Sequence, residues 1–446
     1  MTKKLYTSLF LLLFSISSFA QLVAGPMLGY SEMREVLLWA QTDKPTLVKY
    51  NYWEKGGDGK KFSTKAVLTD KSNYFIAKII AEDVLPGKTY EYEIVLNGIK
   101  EKFSYPLEFQ TQTLWQYRTD PPAFKFAIGS CVYTNETRFD RPGKPYGYTF
   151  NIFDEIYKEQ PDFMVWGGDN IYLREVDWNT RSGIYKRYID FKKQPQLQKL
   201  FANTHHYAIW DDHDYGPNDA DRSYWGKNWT LEAFKDNWGN PNYIFKDEAV
   251  TGTFFWEDVQ FFLLDDRWFR APNYSKDSTK DYFGEKQLNW LIDALSASRA
   301  PFKIVVPGGQ IINPSAVFEN MSTFPVERKK LLDRITENNI SGVVFMTGDR
   351  HHTSLRKLDR EGTYPIYDLT VSSLTSGIAK PLDSERTTPD LIQGTIVDDL
   401  QNFALIEVSG ERTNRAMKIN IIDNTGKKRW DYIINANDLR KPRSND

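Results

Sequence analysis

The chain has 446 residues, long enough for two or three domains on ordinary length grounds. Its 57 lysines and arginines nearly balance 59 aspartates and glutamates, which removes any electrostatic case for a nucleic-acid partner or an anionic membrane surface. Aromatic residues make up 15% of the chain, ample for a real core, and one cysteine, Cys131, excludes a framework of internal disulfides.

Residues 1–20 have the form of an export signal. Thr2-Lys3-Lys4 carries positive charge, Leu5 to Ser18 is mostly apolar, and Ser18-Phe19-Ala20 offers a small-x-small cleavage site before Gln21. No later stretch is long and apolar enough to span a bilayer, and no cysteine follows the cleavage site to carry a lipid. The expectation is a secreted or periplasmic protein.

From 22 to 114 the pattern is all-β. Val36–Ala40, Leu47–Trp53, Phe75–Ile79 and Tyr90–Leu96 alternate like strands, and Asn97-Gly98 is a hairpin signal. Short strands at this spacing predict a β-sandwich, and Leu85 to Tyr92 resembles the tyrosine corner of fibronectin-type-III domains. Residues 115–122, polar and ending in Pro121-Pro122, read as a linker. No catalytic cluster occurs in this part of the chain.

From 123 to 436 apolar strand-like runs alternate with helix-like segments at Asn151–Lys158, Tyr185–Phe191, Gln287–Ser296 and Val326–Asn338. The stretch Pro217–Tyr243 is polar and aromatic and reads as a rim or lid. Run after run ends in a polar cluster. Phe124–Ile128 ends in Gly129-Ser130-Cys131. Phe163–Trp166 ends in Gly167-Gly168-Asp169 with Tyr172 beyond. Tyr207–Trp210 ends in Asp211-Asp212-His213-Asp214. Val259–Leu264 ends in Asp265-Asp266-Arg267, and Val343–Met346 in Thr347-Gly348-Asp349-Arg350-His351-His352. In layered α/β folds such endings meet beyond the carboxyl edge of the sheets.

Each piece has an ordinary explanation. Gly-Asp is a common turn pair, and Gly57-Asp58 is one. A single cysteine is often a small buried hydrophobe. Asp211, Asp212 and Asp214 suit the start of a helix. Together they point elsewhere. Three acids around one histidine repel unless donors or cations compensate. A thiolate, a phenolate and an imidazole beside a carboxylate suit a transition metal, whereas carboxylates and amide oxygens suit calcium or magnesium. Asp169, on the strand expected to be central, is the natural bridge between two such sites. His205 and His206 lie at the far end of their strand and read as structural.

In this order the pieces resemble the alkaline phosphatase D (PhoD) family of the calcineurin-like metallophosphoesterases. The matching residues are Gly129-Ser130-Cys131, Gly168-Asp169 with Tyr172, Trp210-Asp211-Asp212-His213-Asp214, Leu264-Asp265-Asp266-Arg267, Gly284 with Gln287 and Trp290, Gly348-Asp349-Arg350-His351, and Ser372-Ser373 with Thr375-Ser376-Gly377. They run from Ala123 to Lys380. Tyr215-Gly216-Pro217, Arg350 and His352 depart from the family's pattern. The resemblance implies an α/β fold of two packed mixed sheets flanked by helices, behind a fibronectin-like sandwich. It also implies Fe(3+) held by Cys131, Asp169, Tyr172 and His351, and Ca(2+) near Asp169, Asp212, Asn218 and Asp349. His213, Arg267 and Arg350 would serve the reaction, with Arg138 a further candidate for phosphate. The implied activity is hydrolysis of phosphate mono- or diesters by a metal-activated water, on a small or polymeric substrate. Alternatives are a phospholipase D-like diesterase, a nucleotidase, or a binding protein that has lost activity.

Overall fold

The computed structural model describes residues 21–441, so the expected export signal lies outside the described residues. Two sheets dominate. The larger runs, in spatial order, through Lys428–Asn435, Ala416–Asp423, Asn402–Ser409, Phe124–Gly129, Phe163–Gly167, His205–Ile209, Leu22–Ser31, Val36–Thr42 and Ile76–Ala81. Its middle strands, Phe124–Gly129, Phe163–Gly167 and His205–Ile209, are parallel. The second sheet runs Gly252–Trp256, Val259–Leu263, Lys303–Val306, Val343–Thr347, Ile366–Thr370 and Ser354–Leu358, again parallel in its middle.

These parallel strands are apolar without alternation because both of their faces are covered. Between the sheets lies an aromatic core. Phe126 stacks on Phe163 at 4.9 Å, Phe254 on Phe261 at 4.6 Å, and Phe163 meets Phe261 edge-on at 5.3 Å. Outside the large sheet sit the helices Ile152–Lys158, Arg181–Lys192, Pro195–Asn203 and Lys227–Asn237, packed around Trp166, Trp210 and Trp238. Gly284–Ala297 and Pro325–Glu337 contribute to the core of the second sheet. The architecture is the mixed α/β fold expected from the sequence.

The N-terminal region is β-rich and builds its own core between two layers. One layer contains Leu47–Glu54 and Thr89–Leu96, which hairpins through Asn97-Gly98 into Ile99–Lys100. Both turn residues are left-handed, at φ 48° and 85°, as a tight hairpin turn requires. The Leu85 amide donates to Tyr90 Oη at 2.8 Å, the corner contact the sequence implied. The other layer, Leu22–Ser31, Val36–Thr42 and Ile76–Ala81, is not separate from the rest. Leu22–Ser31 pairs in parallel with His205–Ile209, which makes the sandwich and the large sheet continuous.

Five elements depart from the sequence expectation. The Pro217–Tyr243 stretch contains the helix Lys227–Asn237, which buries Thr230, Leu231, Ala233, Phe234 and Asn237. Its buried face mixes polar and apolar residues, so no clean helical period is visible. The helix Pro195–Asn203 and the C-terminal strands Asn402–Ser409, Ala416–Asp423 and Lys428–Asn435 were also not distinguished in the sequence.

Candidate metal centre

Every polar ending lies beyond the carboxyl ends of the parallel strands, where the edges of the two sheets meet. Glycines allow the approach. A Cβ on Gly168, whose φ is 95°, would lie 2.7 Å from Asp211 Cβ, and one on Gly348 would lie 2.5 Å from Ser130 Oγ and 2.8 Å from Gly167 O. Residues of the same loops are themselves bent. Cys131, Asp169, Asp349 and His351 all have left-handed backbones, with φ of 63°, 53°, 66° and 54°. Side chains with a Cβ adopt that region at a cost, and four such residues at one place mark a locally strained site.

Backbone contacts fix these loops to one another. Cys131 N donates to Gly168 O at 3.2 Å and Val132 N to Asp169 O at 2.7 Å. Leu173 N donates to His213 O at 3.0 Å, and His213 N to Asp169 Oδ1 at 3.3 Å. The side chains then converge. Cys131 Sγ lies 3.6 Å from Asp169 Oδ2, and Tyr172 Oη lies 3.0 Å from His351 Nε2. Cys131, Asp169 and His351 present ligand atoms within 4.8 Å of one another, and so do Asp169, Asp212 and His213. Asp169 belongs to both groups.

Burial sets the electrostatics. Asp169 is held well above the ordinary carboxylate range by burial and by the charges of Asp212, Asp214 and Asp349. Burial likewise lifts the Cys131 thiol and the Tyr172 phenol, each pushed further by Asp169. Asp349 rises to about 8 through burial and Glu319. His351 falls to about 4, chiefly by burial, which leaves the imidazole neutral and able to ligate. Such a set of crowded, desolvated acids with a thiol, a phenol and a neutral imidazole fits a cation pair: a transition metal on the Cys131 side, a hard cation on the carboxylate side.

The acids are not all alike. Asp214 accepts from Asn170 N, Asn170 Nδ2 and Asp211 N at 3.0–3.1 Å, and Asp211 caps the short helix Asp212–Tyr215. For these two the capping explanation holds. Asp212, by contrast, lines an open cleft of about 580 Å³ with Asp169, Asp349, His213, Asn218, Arg350 and His351.

The three arginines differ in where their donors go. Arg267 is buried, donates through Nε to Asp211 at 2.6 Å and through its terminal nitrogens to Glu319 at 2.6 and 3.1 Å, and is not on the cleft wall. Its donors are used in supporting carboxylates. Arg350 does reach the cleft, but Glu385 takes both terminal nitrogens at 2.8 and 3.1 Å. Arg138 is exposed against its neighbour Phe139 and is not on the cleft wall. Asn218 lines the cleft with its amide turned to Asp219 Oδ1 at 2.8 Å. His205 and His206 are buried in their strand, His205 Nδ1 lying 2.8 Å from Gly29 O.

Sequence reasoning missed Asp219 and Glu319, which form a third acidic group with Asp212. Asp219 adjoins Asn218 and was within reach of the same argument. Glu319 sits in a loop with no strand-end signal and is matched by Arg267 and Arg270.

Comparisons with known proteins show what this chain is similar to. The family model for PhoD-like phosphatase matches residues 126–409, and a domain of unknown function, DUF7800, matches residues 19–113. Alkaline phosphatase D of Bacillus subtilis (strain 168) is 21% identical over 310 residues, 61% of this chain and 52% of that protein. The chain thus spans about half the length of that curated relative. A solved structure of PhoD superposes with a TM-score of 0.71 at 17% identity, covering 90% of this chain and 91% of the other, which establishes the shared fold. With more than half its length matched by the family model, the chain belongs to the PhoD-like phosphatase family.

Proposed function

We propose that this protein is an exported, metal-dependent phosphoesterase acting on phosphate monoesters, diesters or both. The observation that carries the reading is the convergence of Cys131, Asp169, Tyr172 and His351 next to Asp212, Asn218 and Asp349 at the mouth of one cleft. Cys131, Asp169, Tyr172 and His351 would hold iron(III), and Asp169, Asp212, Asn218 and Asp349 would hold calcium. When bound, such a pair supplies positive charge to the phosphoryl oxygens and acidifies water.

The chain's own groups do the rest. The Tyr172 ring stacks on His213 at 4.1 Å, which fixes the imidazole plane against the cleft. Burial holds His213 below its usual pKa, so it meets the substrate neutral and donates one N–H to a phosphoryl or leaving-group oxygen. Arg267 and the amides of Asn170 and Asp211 hold the outer acids, Asp211 and Asp214, so the inner ones can face a cation. Among the described residues no helix is long and apolar enough to cross a membrane.

The test is hydrolysis of 4-nitrophenyl phosphate and bis(4-nitrophenyl) phosphate by protein loaded with iron and calcium, alongside its visible spectrum. Turnover of either ester, with a phenolate-to-iron band that Tyr172→Phe abolishes, is the expected result. Failure on both esters would sink the phosphoesterase reading. An unchanged band in Tyr172→Phe would remove Tyr172 as a ligand.

A further inference from the structure

Seven arginines are buried among the described residues: Arg174, Arg187, Arg267, Arg270, Arg350, Arg356 and Arg415. Six of them form ion pairs with a carboxylate. Arg174, 6% exposed and two residues beyond Tyr172, has no such partner among the described residues. Its Nε donates to Tyr133 Oη at 3.2 Å, and its guanidinium carbon lies 4.8, 5.4 and 5.8 Å from the ring centres of Tyr133, Tyr172 and Tyr146. Aromatic faces hold and orient the cation, but they do not neutralise it as an anion would.

Arg174 lines a recess of about 200 Å³ together with Arg141 and Lys144. Among the described residues Lys144 forms no ion pair, and Arg141 has only an exposed contact to Glu175 at 3.3 Å. The one acid on the wall, Asp140, is engaged by Tyr133 Oη and Glu136 N, each at 2.7 Å. The recess shares Tyr146, His213 and Asn218 with the metal-centre cleft, so it opens directly beside it. Three cations therefore face one small hollow next to a site otherwise crowded with carboxylates. This inverts the local charge, and cleaving a simple neutral alcohol ester does not require it.

We propose that this recess is a second anion subsite. It seats a phosphate or carboxylate carried by the organic part of the substrate while the ester phosphate lies at the metal centre. The preferred substrate class is thus a phosphate ester bearing a second anionic group. A guanidinium presents paired N–H donors that match either oxyanion, and Lys144 and Arg141 add charge at the mouth. This rests on the phosphoesterase reading for the reacting group, while the subsite itself can be measured without turnover.

Two substrate pairs differ only in the second anion: glycerol 1-phosphate against 3-phosphoglycerate for a carboxylate, and fructose 6-phosphate against fructose 1,6-bisphosphate for a phosphate. The expected result is a kcat/KM at least tenfold higher for the doubly charged member of one pair. That ratio should fall toward one in Arg174→Gln and be partly restored in Arg174→Lys. Lys144→Gln and Arg141→Gln alter exposed side chains that the fold does not need, and each should lower the ratio two- to fivefold. Independently, inorganic phosphate titrated calorimetrically into metal-stripped protein should bind at least tenfold more weakly to Arg174→Gln than to the parent. A parent ratio near one in both pairs would overturn the proposal. So would equal losses on both members in Arg174→Gln, which would put Arg174 on the reacting phosphate instead. If no ester is turned over but phosphate binding still depends on Arg174, the subsite stands and the hydrolytic reading falls.

Discussion

Loading the inner metal position should expel protons, and the number follows from the structure. In the metal-free centre the Cys131 thiol, the Tyr172 phenol and the Asp169 carboxyl are all held above their ordinary pKa values, burial being the largest cause for each. A cation that takes all three as anions must displace the thiol and phenol protons, about two near neutral pH, and a third wherever the raised Asp169 carboxyl is protonated. His351, depressed to about 4, is already neutral and contributes none. The sign is therefore fixed: apparent affinity rises with pH, by up to about a thousandfold per pH unit where all three groups are still protonated. Zinc(II) serves as a redox-silent probe. Calorimetric titration in buffers of different ionisation enthalpy counts the protons released. Cys131→Ala and Tyr172→Phe should each lower the count by one. Release of no protons, or an unchanged count in both variants, would refute the argument that these three groups ligate together.

Two further outcomes test how the site is supported. Lys192 is fully buried, with Nζ 3.1 Å from Met27 Sδ and 3.7 Å from the Trp238 ring centre and no carboxylate partner among the described residues, and burial pushes its pKa well down. Lys192→Met should therefore raise the unfolding free energy by about 2 kcal/mol, from denaturant titration. The parent's stability should climb relative to the variant as pH rises toward the lysine's ordinary range, because below that range the unfolded chain binds the extra proton. A destabilised variant, or a pH-independent difference, would contradict this. Gly348→Ala forces a Cβ against Ser130 and the Gly167 carbonyl, prising the two sheet edges apart next to Asp349. Metal affinity should drop roughly 10- to 100-fold with the fold retained, as measured by dialysis and elemental analysis; parental affinity would show that the sheet edges have slack.

The centre was legible because parallel strands deliver their endings to one edge. A glycine, an acid or a cysteine after an apolar run is an address that period and punctuation reveal. What was hidden depends on partners distant in sequence. No local pattern shows that Glu319 pairs with Arg267 or Glu385 with Arg350. Arg174 gave no signal, because its distinction is the lack of a carboxylate that other buried arginines possess. The helix Lys227–Asn237 was obscured by buried polar residues such as Thr230 and Asn237. The pairing of Leu22–Ser31 with His205–Ile209 left no local trace, since either strand reads the same alone.

That pairing has an evolutionary and practical side. A module joined through a bare tether can be shed, swapped or duplicated; one that completes its neighbour's sheet cannot. Were residues before Phe124 removed, the backbone of His205–Ile209 would lose one of its two neighbours, Trp39 Nε1 would no longer reach Asp236 O, and Tyr92 Oη would no longer reach Ala202 O. The remaining fragment would present a raw β-edge, an invitation to stick to its own copies. The N-terminal layers and the large sheet are thus one continuous piece of structure.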